Sequence, residues 1–144
     1  MISKSCKYAI RAALYIASKI DEKVKLSVKE IAFEIDAPEA FTAKILQNLT
    51  RHKIIFSTKG PYGGFYVEQS NLKIPLINIV NAIDGLSIFE DCGIGLQECS
   101  DIHPCPFHND YKVIRNGILS IYTNNTIGKF SKELMSGETF LKSI

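Results

Sequence analysis

The run from Ser27 to Val67 restricts the fold of this chain more than any other stretch. Two helical patterns meet there across Asp36-Ala37-Pro38, and a glycine-rich hairpin pattern follows at once. Ser27-Val28-Lys29-Glu30 is a capping box: the Ser27 hydroxyl can accept the Glu30 amide while the Glu30 carboxylate reaches back to the Ser27 amide. Ile31, Ala32 and Ile35 then recur at helical spacing and give this short helix one apolar face. Pro38, with no amide hydrogen, suits the start of a second helix, and Glu39 complements its N-terminal dipole. The second helix is expected to run to about Lys53.

Phe41, Ile45 and Leu49 repeat every fourth residue along that second helix and are expected to face the core, with Leu46 beside them. A 3.6-residue period puts Ala40, Ala43, Lys44, Gln47 and Arg51 on the opposite side. The two alanines at the leading end permit close approach to base edges. Lys44 and Gln47 can bond bases, and Arg51 suits a phosphate. Ile54 to Thr58 reads as a strand, Lys59-Gly60-Pro61-Tyr62-Gly63-Gly64 as a turn, and Phe65-Tyr66-Val67 as the returning strand. Helix, tight turn, helix and hairpin is the order of a winged helix-turn-helix, which lays its second helix in the major groove of DNA. The candidate contact set is therefore Ser27, Ala40, Ala43, Lys44, Gln47 and Arg51, with Lys59, Gly60, Pro61 and Tyr62 at the tip of the wing. Lys59 suits a minor groove or a phosphate. An ordinary solvated helix face and a plain hairpin are the competing readings of each piece taken alone.

The charge distribution agrees with this reading. The net charge is only +2, but residues 1–67 hold eleven Lys/Arg against six Asp/Glu, a balance of +5, whereas residues 68–144 hold six against nine, a balance of −3. The positive excess thus lies with the groove-reading module. No apolar run approaches the length of a membrane span, and Arg11 interrupts the apolar N-terminal stretch that a signal peptide would need. The cytoplasm is the expected compartment. The expected class is α+β, mainly α: a winged helix-turn-helix over residues 1–70, then a sensor loop and dimerisation region over residues 71–144.

Outside the module, Ser3 to Ile20 is expected to form a first helix, its stripe of Ala9, Ala13, Ile16 and Ile20 widened by Ile10, Leu14 and Ala17. Arg11 beside that stripe is read as a solvated side chain that could lean toward DNA. Leu76, Ile79, Val80 and Ile83 mark a short amphipathic helix after Pro75, with Gly85 as its C-terminal cap. Residues 86–106 show no period, which in a compact domain points to a functional loop. A longer helix runs from His108 to about Tyr122, with Tyr111, Ile114, Ile118 and Ile121 alternating by three and four. Pairing with a second copy is the preferred use of that stripe, and Gly117 within it allows close approach of a partner helix. Thr126 is expected to cap a last short helix, and the tail beyond Ser136 to be loose.

Cys92, Cys99 and Cys105 all lie in the aperiodic loop, and His108 follows at the start of the long helix. Three thiols and an imidazole on one loop make a plausible metal set, with His103 as a spare donor. Paired cysteines two residues apart, the usual zinc pattern, are absent, so spacing alone leaves iron–sulfur and zinc both open. A reducing compartment disfavours a disulfide among the three. Cys6, on the first helix, reads as a small buried apolar residue.

An ordered set of short matches makes the chain similar to the Rrf-type winged-helix regulators. The set comprises Lys7-Tyr8-Ala9, Ile31-Ala32, Ile45-Leu46-Gln47-Asn48-Leu49, Lys59-Gly60-Pro61-Tyr62-Gly63-Gly64-Phe65, Ile79-Val80-Asn81-Ala82-Ile83-Asp84-Gly85 and Thr126-Ile127-Gly128. It spans nearly the whole chain. The resemblance implies a homodimer built on the long helix and bound to a near-palindromic double-stranded operator. It also implies an iron–sulfur cluster on Cys92, Cys99 and Cys105, with His108 where the IscR branch has its histidine ligand. That placement favours the 2Fe–2S type over 4Fe–4S or zinc. Lys7 stands where the NsrR branch has an acidic ligand, which argues against that scheme. Lys59 replaces the usual wing arginine, exchanging a planar fork for a point charge. Ala43 stands where the IscR branch is acidic, so the target sequence is expected to differ.

Three functions follow in order of preference. The first is a homodimeric transcription regulator, expected to repress, that senses iron–sulfur, redox or nitric oxide status through its cysteine loop. The second is a winged-helix DNA-binding protein with a structural zinc or a cluster-free loop. The third, an enzyme with a reactive cysteine, is disfavoured: there is no phosphate-binding loop and no nucleophile–base–oxyanion arrangement.

Overall fold

A computed structural model describes residues 1–143. Its organising element is helix α1, Lys4–Ser18. Cys6, Ala9, Ala12, Ala13, Ile16 and Ala17 are all essentially inaccessible, so α1 is buried on several sides rather than along one stripe. The run of alanines explains this, because small side chains let several neighbours approach one helix axis. Ser3 caps the helix: its Oγ accepts the Cys6 amide at 3.1 Å. The expected stripe is present, Cys6 is buried as expected, and the burial of Ala12 is what periodicity did not reveal.

Helix α2, Val28–Glu34, begins with the complete capping box. The Ser27 amide donates to Glu30 Oε2 at 2.7 Å and the Glu30 amide donates to Ser27 Oγ at 3.1 Å. The chain turns at Asp36, whose φ of 52° is left-handed. Arg11 decides how this turn is held. Its Nη1 donates to the Ile35 carbonyl at 2.8 Å, and its guanidinium lies 4.6 Å from the Tyr8 ring centroid. Arg11 therefore satisfies an orphan carbonyl at the end of α2 instead of reaching toward solvent or DNA.

Helix α3, Glu39–Arg51, starts after Pro38 as expected and ends two residues early, with His52 as its C-cap. Its buried line is Thr42, Ile45, Leu46 and Leu49. Phe41 departs from expectation: it is 36% exposed and meets the Tyr8 ring edge-on, while Thr42 takes the core position. Thr42 can be buried because its hydroxyl donates to the Pro38 carbonyl at 2.9 Å.

Strands β1, Phe56–Thr58, and β2, Gly64–Tyr66, pair antiparallel, with Phe56 opposite Tyr66 and Thr58 opposite Gly64. The first strand is shorter than its pattern because Ile54 and Ile55 are spent on the core before pairing begins. Leu26 adds a bridge to Phe65 from the other side. Gly64, at φ 146°, is required there, since a Cβ would lie 2.7 Å from the Leu26 carbonyl oxygen. Asn71 is buried and donates to the carbonyls of Lys53 and Ile54. It fastens the base of the hairpin to the chain beyond it.

Helix α4, Leu76–Ile83, follows Pro75, with Asp84 as its C-cap and Gly85 at φ 77° beyond. Helix α5, His108–Asn124, is the long one, and α6, Ile127–Met135, is capped by Thr126, whose side chain accepts the Lys129 amide. Leu76, Ile79 and Ile127 join α1, α2 and α3 in one core, and Ile2, Cys6, Val80 and Phe89 form a second, smaller cluster. The expectation of a loose tail needs correction. Leu141 packs against the main core, and Lys142 reaches Glu34 at 3.7 Å and the Phe33 ring at 4.4 Å.

Leu46 is fully buried where α3 meets α1. Leu46→Ala is expected to destabilise the fold by about 3 kcal/mol, read from denaturant unfolding, whereas Phe33→Ala, at a side chain 72% exposed, is expected to change stability by about 0.5 kcal/mol or less.

Candidate functional site

Two groups of side chains stand out, one on α3 and the hairpin, the other around the cysteine loop. On α3, Ala40, Lys44, Gln47 and Arg51 are exposed and Ala43 is half-buried. They share one side of the helix because Thr42, Ile45, Leu46 and Leu49 fix the other side in the core. Lys59, Gly60, Pro61 and Tyr62 project at the hairpin tip, with Tyr62 92% exposed. Ser27 is also exposed; its Oγ uses a lone pair on the Glu30 amide, so the hydroxyl hydrogen is left to donate outward. A cationic helix face, a projecting hairpin and a helix N-terminus on one module suit a polyanion with readable edges.

The cysteine loop brings its donors together as two pairs. Cys92 Sγ lies 3.6 Å from Cys105 Sγ, and Cys99 Sγ lies 3.4 Å from His108 Nδ1. Among the described residues, no three His, Cys, Asp or Glu side chains converge as a single ion-holding group. His103, the spare donor, is exposed and belongs to neither pair. The loop leaves Cys92 and His108 buried and Cys99 and Cys105 half-buried.

The chemistry around the pairs is well defined. His108 Nε2 contacts Asp101 Oδ1 at 2.7 Å, and Lys112 Nζ donates to the same oxygen at 2.7 Å. The Lys112 hydrogen bond, with that of His108 behind it, holds the Asp101 carboxyl down at about 2. With Nε2 turned to that carboxylate, Nδ1 is the nitrogen that faces the Cys99 sulfur. Backbone amides of Ile94 and Leu96 pull the Cys92 thiol below its ordinary range, and loss of water pushes the Cys105 thiol up. Arg115 Nη1 donates to the Glu90 carbonyl at 3.1 Å, the Asp91 carbonyl at 2.7 Å and Cys99 Sγ at 3.3 Å. One guanidinium therefore ties the loop to α5.

A polar contact also joins the start of this loop to the helix on which α3 packs. The Asp84 carboxylate accepts the Ser3 amide at 2.7 Å and, through its other oxygen, the Ser3 hydroxyl. Asp84 caps α4 just ahead of the loop, and Ser3 caps α1, against which α3 packs. Asp101, Lys112, Arg115 and this Ser3–Asp84 contact were invisible to spacing arguments. Each is a common charged or hydroxyl residue whose partner lies far away in sequence.

Along α5, Tyr111, Ile118, Leu119 and Tyr122 are half-buried, whereas Val113, Ile114 and Ile121 are 72%, 61% and 53% exposed. An apolar groove lined by Met1, Ile2, Phe89, Ile114, Ile118 and Tyr122 runs beside them. No described helix is long and apolar enough to cross a membrane.

Comparison with known proteins gives a consistent picture. The model of the family described as "Rrf2: Iron-dependent Transcriptional regulator" matches residues 2–133. A protein of Aquifex aeolicus (strain VF5), whose name describes an HTH-type transcriptional regulator, is 30% identical over 129 residues, covering 88% of this chain and 88% of its own length. Two solved structures share the fold. One is CymR (YrzC), the global cysteine regulator of B. subtilis, with TM-score 0.73 and 19% identity over 95% of this chain and 97% of its own. The other is T. potens IscR, with TM-score 0.71 and 16% identity over 96% of this chain and 91% of its own.

The four cysteines should differ sharply in reactivity. Burial, with the Asp84 charge behind it, pushes the Cys6 thiol up to about 12. At pH 8 its thiolate fraction is thereby lowered roughly a thousandfold from that of an ordinary thiol. Brief alkylation of the native, metal-free chain with iodoacetamide, followed by peptide mass analysis, is expected to modify the half-buried Cys99 while leaving Cys6 free.

Proposed function

The chain belongs to the Rrf2 family of transcriptional regulators, and from that premise we propose a division of labour within it. Residues 1–70 read DNA, and residues 71–144 carry the sensor loop and the dimer contact. The single observation that carries the first half is the exposed Lys44–Gln47–Arg51 face, set opposite a fully buried one on α3. Lys44 and Gln47 address base edges, Arg51 and Lys59 address phosphates, and Ser27 donates to a phosphate from the start of α2. Gly60, Pro61 and Tyr62 bring the wing against the duplex, while Ala40 and Ala43 admit the backbone.

We propose that a second copy covers the exposed Val113, Ile114 and Ile121 of α5. Apolar side chains of that size, exposed together on one helix, are costly to leave in water. A two-fold dimer would present two α3 helices to half-sites separated by about one turn of duplex.

The cysteine loop fits a thiolate-bound iron–sulfur group in the chemistry of its donors. Cys92, Cys99, Cys105 and His108 Nδ1 would hold it, and Asp101 would orient the imidazole from behind. When bound, such a group supplies one-electron redox chemistry. The resemblance to the IscR branch, with its histidine ligand at the place of His108, favours the 2Fe–2S type. The chain's own contribution is mechanical. Arg115 holds the loop to α5, and Asp84 holds α4 to the cap of α1. A change in loop geometry is thereby felt at both the dimer helix and the reading helix. The pairing of the donors, two and two, also accommodates the second reading, a structural zinc or a metal-free loop.

Operator selection followed by fluorescence anisotropy tests the first half. Lys44→Ala and Gln47→Ala are each expected to weaken selected DNA by about 1–3 kcal/mol and to relax sequence preference. Lys59→Ala is expected to weaken all duplexes alike and to lower the salt slope by about 0.9. Unchanged binding in all three variants would overturn the reading. Anaerobic purification with visible absorption and metal analysis tests the second half: a colourless protein with one zinc per chain replaces the cluster by the structural metal.

A further inference from the structure

The Cys92–Cys105 pair is joined by more than a common role as donors. Their sulfurs are in contact at 3.6 Å, and both residues lie in irregular backbone. Closing to the bonded distance of about 2.05 Å needs a shift of about 1.5 Å, which an irregular loop absorbs more easily than a helix or strand. Cys99 is placed differently. Its sulfur is taken up by His108 Nδ1 at 3.4 Å and Arg115 Nη1 at 3.3 Å, and Arg115 is itself anchored on two carbonyls. One cysteine is thus pinned, and the other two face each other.

We infer that Cys92 and Cys105 form a peroxide-reactive dithiol site that closes to an intrachain disulfide in the metal-free protein, with Cys99 left as a free thiol. The Cys92 thiolate attacks one oxygen of hydrogen peroxide. The O–O bond breaks, Cys92 becomes a sulfenic acid, and the departing hydroxide leaves as water after taking up a proton. Cys105 sulfur then attacks Cys92 sulfur, the S–O bond breaks, and the second oxygen leaves as water. The two thiols together lose two electrons and two protons, and the peroxide becomes two waters. Compartment disfavours a permanent disulfide in this loop, but a transient redox-sensing bond is the form that a reducing compartment does accommodate. Oxidation withdraws two of the four donors and staples residues 93–104 into a closed loop, so the oxidised and metal-holding forms exclude each other.

This inference does not rest on the cluster or on DNA binding, and its test uses neither. The full chain, chelated and reduced, is exposed anaerobically to one equivalent of hydrogen peroxide and then alkylated. Digestion without reduction uses a protease that cuts after Glu98 and Asp101, which separate the three cysteines. The expected product is a peptide pair linked through Cys92 and Cys105, reversed by dithiothreitol, with Cys99 alkylated. Cys99→Ser should keep the link, and Cys105→Ser should leave a sulfenic acid on Cys92 that dimedone traps. A link through Cys99, a bond between chains, sulfinic acid on Cys99 without a link, or no reaction at all would each overturn it. The wild-type map stands alone should a variant fail to fold.

Discussion

Burial of α1 on several sides is the constraint on which the rest depends. Ala9, Ala12, Ala13 and Ala17 present so little side chain that α3, α4 and α6 approach the same helix. Whatever sits on α1 is placed relative to everything else that sits on α1. Helix α3 is one such element, and α4, which leads into the cysteine loop, is another. A larger residue at any of these alanines would push a neighbour outward, because interiors packed to crystal density have little room to absorb a methylene.

Polar contacts then determine where the packed elements end. Arg11 completes the end of α2 through the Ile35 carbonyl, Asn71 holds the carbonyls of Lys53 and Ile54, and the Asp84 carboxylate grips the cap of α1. Each satisfies a backbone group that a helix or strand end leaves open. The last two bind the helix-turn-helix module to the chain beyond it, so that a loop thirty-five residues or more from α3 in sequence has a short physical route to it. The route runs from the loop through Asp84 and Ser3 to α1, and from Tyr8 on α1 to Phe41 on α3.

The cysteine loop shows a similar economy. Cys92, Cys99 and Cys105 sit in a stretch with almost no regular structure, and side chains from α5, His108 among them, give it shape. Lys112 and His108 converge on Asp101, and Arg115 converges on two carbonyls and Cys99. The result is a set of soft donors sorted into two pairs, one held by charge and one free to react within itself. As proposed, thiol–disulfide chemistry and metal binding are alternative uses of the same atoms.

Most of the regular structure was legible from local rules. The Ser27–Glu30 capping box, Pro38 at a helix start, Thr126 as a cap and Gly85 after α4 depend on neighbours within four residues, and sequence displays those directly. The exposed face of α3 followed from period alone, as did the core line of Ile45, Leu46 and Leu49. What sequence could not give were choices between residues of similar pattern. Thr42 displaced Phe41 from the core because a nearby carbonyl took its hydroxyl, and Arg11 turned inward because the end of α2 offered an acceptor. The docking of the tail on α2 and the sorting of the cysteines into pairs belong to the same class. Local sequence determines propensity and period; only tertiary structure decides which distant donor meets which acceptor, because that depends on a spatial distance that sequence separation does not encode.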